Sequence, residues 1–170
     1  MPHSNRRRGK FGTTALLLLS LCATAPAVAQ PAANAPATIS LDEALKVAAE
    51  AQKAAVGKGR NVSIVVVNRE GRVILSHRMD GSSVLNLQIA ESKAFTAAMI
   101  GAPTKVLEQV VDGGKPSYLS IQGALMIGGG MPVVRGGSPV AGVGVSGGTA
   151  EEDEAIASAG IAAIEGAAKK

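Results

Sequence analysis

The chain has 170 residues, with 17 Lys and Arg against 13 Asp and Glu and a formal net charge of +4. This length is enough for one domain with a buried core and no need of disulfide staples. Only 2% of the residues are aromatic and Trp is absent. Because base recognition on single strands relies on aromatic stacking, the composition argues against a nucleic-acid partner.

The N-terminal residues predict an export signal. A basic stretch, residues 6–10, precedes an apolar run from Ala15 to Leu21, and Ala27-Val28-Ala29 offers the small residues that a signal peptidase reads. The apolar run is too short to span a membrane. We therefore expect residues 1–29 to be a signal peptide and the mature protein to be periplasmic or secreted.

Cleavage at that site would change the net charge of the protein. It removes four cations and no acidic residue, which leaves 13 charges of each sign. A formally neutral mature chain gives no reason to expect a membrane surface as partner. The single cysteine, Cys22, would leave with the signal. A lipoprotein signal ending at Cys22 is the alternative, which the bulky Leu21 disfavours. Residues 30–38, rich in Ala and Pro, predict a linker.

The rest of the chain, residues 39–170, predicts helices and strands in the order α-β-β-α-α-β-β-β-α. Ser40 and Glu43 form a capping box that begins a helix ending at Gly57, and Thr149 with Glu152 repeats the box before the last helix. Between them we predict a helix from Ser82 or Ser83 to Ile100, a short helix Thr104–Val111, and strands Val62–Val67, Val73–Arg78, Ala124–Ile127, Met131–Arg135 and Pro139–Val145. The fold class is therefore α+β, with a five-stranded antiparallel sheet packed by helices.

A glycine motif near the C-terminus matches G-x-G-x-x-G at Gly142, Gly144 and Gly147. In a dinucleotide-binding protein, the helix that follows such a motif receives a pyrophosphate at its N-terminus. Here Glu151–Glu154 place four carboxylates in that first turn, where they repel phosphate. We therefore predict that these glycines mark a strand whose backbone is approached closely by a packed helix or a ligand. The carboxylates themselves are typical of a solvated helix start.

A set of short motifs runs through residues 39–164 in one order: Gly71, Arg78-Met79-Asp80-Gly81, Lys93-Ala94, Thr96-Ala97, Gly128–Pro132, Gly142–Gly147, Asp153 and Ala159-Gly160. Together they resemble the haem-binding GlcG/HbpS family, which includes the C-terminal domain of PduO-type cobalamin adenosyltransferases. The resemblance implies a profilin-like sandwich and a homo-oligomer, often an octamer. It also implies binding of haem or of a related, cobalamin-like tetrapyrrole. The resemblance places Gly129 and Gly130, in the glycine loop, among the ligand-binding residues.

Candidate iron ligands are few. His77 is the only histidine left after signal cleavage, and neutral imidazole is the commonest protein ligand of haem iron. Strand alternation puts it on one face with Val73 and Leu75. Its alternative role is that of a strand-end histidine bonded to backbone. Tyr118 could ligate as a phenolate or simply pack, and Thr96 or Thr104 is a further oxygen donor. A methionine thioether could also ligate iron, but the methionines are better explained by packing in the core: Met79, Met99, Met126 and Met131.

Charged residues supply candidate ligand partners. Lys93 shares a helical stripe with apolar residues, so its ammonium is expected to meet either an acid, such as Asp80, or an anionic ligand, such as a haem propionate. Arg78 and Asp80, at the exit of a strand, are expected to form a turn-fixing pair.

The expected function follows mainly from the resemblance: an exported haem-binding protein with a sequestration or sensing role. Two alternatives stay open, namely an enzyme that degrades or redox-cycles haem and an oligomeric scaffold without ligand. Hydrolytic chemistry is disfavoured because the mature chain has one imidazole and no nucleophile elbow. No catalytic residue is assigned.

Overall fold

The computed structural model describes residues 38–165, so the predicted signal peptide and nearly all of the linker lie outside the described residues. The elements are α1 (Leu41–Gly57), β1 (Ser63–Asn68), β2 (Val73–Arg78), α2 (Val84–Ile100), α3 (Lys105–Asp112), a 3-10 helix (Pro116–Ser120), β3 (Gly130–Arg135), β4 (Ser138–Ser146) and α4 (Ala150–Glu165). The α+β class and every predicted helix are present. Within the described range, no helix has the length and apolar character needed to cross a membrane.

The sheet has four antiparallel strands in the order β2-β1-β4-β3, not the five predicted. The segment Ala124–Ile127, expected as a strand, is a loop. Hydrogen bonds from side chains, and not pairing with a neighbouring strand, hold the backbone of this segment. Leu125 N–H donates to Thr96 Oγ1 at 2.8 Å, and the Ile127 carbonyl accepts from Thr104 Oγ1 at 2.7 Å.

Helices cover both faces of the sheet. Helices α1 and α4 pack on the face formed by Ile64, Val66, Val143 and Val145, while α2 packs on Val65 and Val67. The buried core is aliphatic throughout, as the low aromatic content requires.

The glycine motif lies where α2 crosses β4. A Cβ at Gly142 would overlap the Ala94 carbonyl oxygen, and a Cβ at Gly144 would overlap that of Ala90. The glycines therefore let helix backbone and strand backbone touch. The prediction of close approach by a packed helix is confirmed.

The first helix begins at the predicted capping box. Ser40 Oγ accepts from Glu43 N–H at 3.2 Å, and Ser40 N–H donates back to Glu43 Oε2 at 2.9 Å. The Glu43 carboxylate also meets Arg135, at the end of β3, at 2.6 Å. The pKa of Glu43 lies below its ordinary value, chiefly because of the Ser40 N–H and further because of Arg135.

Candidate functional site

A buried ion pair joins α2 to α4. Lys93 is only 2% exposed, and its Nζ donates to Asp153 Oδ2 and to the Val145 carbonyl, both at 2.9 Å. The other carboxylate oxygen of Asp153 accepts from Gly148 N–H at 2.8 Å. The partner of Lys93 is therefore Asp153 and not Asp80, which lies exposed in the turn after β2. Of the two partners expected for the ammonium, an acid or an anionic ligand, the structure shows an acid.

The acidic helix start is only partly the solvated surface that the sequence predicts. Glu151 is exposed, and Glu152 pairs with Arg60 at 3.0 Å near the surface. The pKa of Glu152 lies below its ordinary value, chiefly because Thr149 N–H donates to the carboxylate. Asp153, however, is 2% exposed and points into the domain. The expectation that all four carboxylates are solvated is thus wrong for Asp153, because the helical period places this residue on the face of α4 that packs against the domain.

The glycine loop before β3 is tied to the same region. Thr104 Oγ1 accepts from Gly130 N–H at 3.0 Å, while Thr104 N–H donates to the Gly130 carbonyl at 2.9 Å. A Cβ at Gly129 would lie 2.7 Å from Asp153 Cβ and 2.8 Å from Lys93 Nζ. The loop therefore seals the ion pair, and Gly129 is required because any side chain would collide with it. The threonine hydroxyls are occupied by backbone partners.

His77 occupies a different surface. It lies on β2, an edge strand of the sheet, where it pairs with Ile64 and is half-buried. Ile64 belongs to the core under α1, so the imidazole is on that side. Leu75 shares this face, but Val73 does not, because a bulge opposite Val66–Val67 shifts the register. Within residues 38–165 the imidazole makes no hydrogen bond or ion pair, so both ring nitrogens are available.

The remaining predicted site residues stand apart from each other. Arg78 Nη1 donates to the Ser82 carbonyl at 2.7 Å, so its turn-fixing contact is with backbone and not with Asp80. Tyr118 lies in the 3-10 helix and is 37% exposed. The structure thus brings together Lys93, Thr96, Thr104, Gly129 and Gly130 as an internal frame, and leaves His77, Arg78, Asp80 and Tyr118 outside it.

One cleft is lined by none of the predicted site residues. It has a volume of about 460 Å³, within the usual range for small-molecule sites. Its walls are the β1–β2 turn, the outer face of α2 and the end of the loop after the 3-10 helix, contributing Glu70, Gly71, Arg72, Gln88, Glu91, Ser92, Phe95 and Gly123. The one feature of the sequence that could have indicated this cleft was Phe95, an aromatic residue with polar neighbours on its helix, in a chain that has few aromatic residues. The described part of the chain holds no cluster of three or more His, Cys, Asp or Glu suited to a metal ion.

Comparison with known proteins gives consistent matches. A family model described as "haem degrading protein HbpS-like" matches residues 39–162. The crystal structure of a double mutant of HbpS from Streptomyces reticuli aligns with a TM-score of 0.71 and 38% identity, covering 81% of this chain and 97% of that one. A PduOC:heme complex aligns with a TM-score of 0.68 and 29% identity, covering 75% of this chain and 95% of that one. Protein GlcG of Escherichia coli K12 is 32% identical over 108 residues, which are 64% of this chain and 81% of that protein.

Proposed function

The chain belongs to the HbpS-like family of haem degrading proteins, and from this premise we propose that it is a haem-binding protein that sequesters or senses haem. The observation that carries the proposal is the likeness to a domain crystallised with haem, the PduOC:heme complex, over 75% of this chain. A binding role is favoured over a purely structural one because a relative with this fold holds the ligand.

We propose His77 as the axial ligand of the iron. The imidazole has no partner among the described residues, lies half-buried on an edge strand, and has Leu75 beside it on the same face. A neutral imidazole on a partly apolar surface is suited to haem iron. Tyr118 is the second choice, since its phenol is accessible and without a hydrogen bond in residues 38–165. Thr96 and Thr104 are poor candidates because their hydroxyls already bind backbone groups.

The same proposal includes export and self-association. The basic and apolar residues before Ala29 support cleavage of a signal and a periplasmic or secreted protein. Large apolar side chains on the described surface support an oligomer, which the family resemblance suggests is an octamer: Val84, Leu85 and Leu119 are 62–64% exposed. Intact mass of the exported protein tests the cleavage, and light scattering tests the assembly. Retention of Met1, or a monomer mass at micromolar concentration, would contradict these parts.

Titration with hemin tests the ligand directly. We expect the wild-type mature protein to shift and sharpen the Soret band with saturation, because ligation changes the electronic environment of the iron. The His77→Ala variant is expected to lose or shift that band with its circular dichroism unchanged, while Tyr118→Phe is expected to behave as wild type. A band that persists in His77→Ala and is lost in Tyr118→Phe would reassign the ligand. No spectral change in wild type would reject haem binding.

Haem degradation is the second candidate, favoured by the description of the matching family as haem degrading. Bound haem would supply the redox-active iron, and the protein would hold the ring and control access of water. The two candidates differ in time dependence. Incubation with a reductant in air should bleach the Soret band with loss of the intact porphyrin if the protein is an enzyme, and should leave the porphyrin recoverable if it only binds.

A further inference from the structure

The cleft beside Phe95 is lined by polar side chains that are exposed to solvent. In residues 38–165, the side chains of Glu70, Arg72, Gln88 and Glu91 take part in no hydrogen bond and no ion pair, not even with one another. A concave surface that combines an aromatic ring with charged side chains is a candidate ligand site.

The floor of the cleft is held by two glycines on either side of the Phe95 ring. Gly71, with φ of +73°, lies so close that a Cβ there would overlap the ring, and a Cβ at Gly123, with φ of +77°, would meet the opposite edge at 3.4 Å. Gly71 belongs to the β1–β2 turn and Gly123 to the loop that Thr96 anchors at Leu125. The ring is therefore positioned by three separate segments of the chain.

The charges around the ring favour a cation. Glu70 and Glu91 bring two carboxylates to the cleft and Arg72 brings one guanidinium, so the surface is net negative. A cleft lined by an excess of one charge concentrates counter-ions, and an aromatic face attracts an organic cation as well. The propionates of haem would be repelled by the same carboxylates, which sets this cleft apart from the proposed haem site.

We propose that this cleft binds a small organic cation, an amine or quaternary ammonium carried on an apolar group. Phe95 contacts the ammonium or its methyl groups, Glu70 and Glu91 balance its charge, and Gln88 can accept a hydrogen bond from a protonated amine. Arg72 opposes the cation and limits its affinity. The proposal does not depend on haem binding and can fail or succeed without it.

Calorimetric and NMR titration with choline, and with its neutral isostere 3,3-dimethylbutan-1-ol, tests the proposal. We expect choline to bind and the isostere to bind at least about fivefold more weakly, since only the charge differs. Glu91→Gln should weaken choline binding by about two- to fivefold, and Arg72→Gln should strengthen it by a similar factor. Raising the salt concentration should weaken binding of wild type.

Controls keep the test independent of folding. Glu154→Gln, on α4 outside the cleft, removes one carboxylate and should leave choline binding unchanged. Phe95→Leu should weaken binding by about two- to fivefold, with circular dichroism as the check on its fold. Equal binding of the isostere, equal effects of Glu91→Gln and Glu154→Gln, or no binding up to about 10 mM choline would overturn the proposal. Weaker hemin binding in Arg72→Gln together with stronger hemin binding in Glu91→Gln would also overturn it, by assigning the cleft to an anion.

Discussion

The Lys93→Met substitution removes one half of the only ion pair buried within the described domain. Methionine has a similar length and apolar stem, so the change leaves packing nearly intact and removes the charge. It leaves the Asp153 carboxylate, which is 2% exposed, without its counter-charge, and it removes the Nζ donor of the Val145 carbonyl. Among the described residues, Gly148 N–H is the one donor left to Asp153.

The expected loss is large. Breaking a buried pair from one side typically costs about 3–5 kcal/mol, because the remaining charge is uncompensated. The free energy of unfolding of an ordinary domain is about 5–15 kcal/mol, so the variant should still fold but with a lower melting temperature. In urea the midpoint should fall by roughly 2 M at a typical slope.

The control is the ion pair between Arg60, in the loop after α1, and Glu152, the residue before Asp153 on α4. Arg60 and Glu152 are partly exposed, with side chains 43% and 27% accessible, so Arg60→Gln should cost at most about 1 kcal/mol. Adding Asp153→Leu to Lys93→Met should recover much of the loss, because the stranded carboxylate is then gone. If Lys93→Met costs no more than Arg60→Gln, the pair is not a buried structural link and the reasoning fails.

Three further predictions concern other contacts within the described domain. Gly144→Ala should destabilise the domain by more than about 3 kcal/mol in urea titration, because its methyl would overlap the Ala90 backbone and separate α2 from the sheet; an unchanged midpoint would contradict the close packing. Thr104→Val should lower the free energy of unfolding by about 1–3 kcal/mol, because it leaves Gly130 N–H without its acceptor. Hydrogen exchange at Gly130 should become faster in this variant. Unchanged exchange would show that the hydroxyl does not hold the loop. Because the folded-state pKa of Glu43 is lowered, its contribution is present above its unfolded pKa and disappears as pH falls through the folded one. The stability gap between wild type and Glu43→Gln, on the order of 1 kcal/mol at pH 7, should therefore close in acid below about pH 4; a gap independent of pH would refute this.

Most of the fold could be predicted from local signals. The capping boxes at Ser40 and Thr149 and the glycine at position 101 set the helix ends, and apolar strands set the sheet. The extra strand at Ala124–Ile127 was wrong because its apolar run is held by threonine hydroxyls from distant helices. Such side-chain anchors leave no periodic trace in a sequence.

The site was less predictable because its contacts are remote in sequence. Periodicity showed that Lys93 faces inward, but Asp153 lies 60 residues away and sat within an acidic run that suggested solvent. A bulge likewise changed the neighbours of His77. The cleft near Phe95 is formed by three segments that no motif links.

Chemical rescue decides whether this domain holds haem through His77. We predict that His77→Gly binds hemin without the wild-type Soret band and that added imidazole, which fills the space of the missing side chain, restores that band. The ferric spectrum of the variant should then match that of wild type as imidazole saturates. A wild-type spectrum in His77→Gly without imidazole would contradict the account, because the iron would then have its ligand elsewhere.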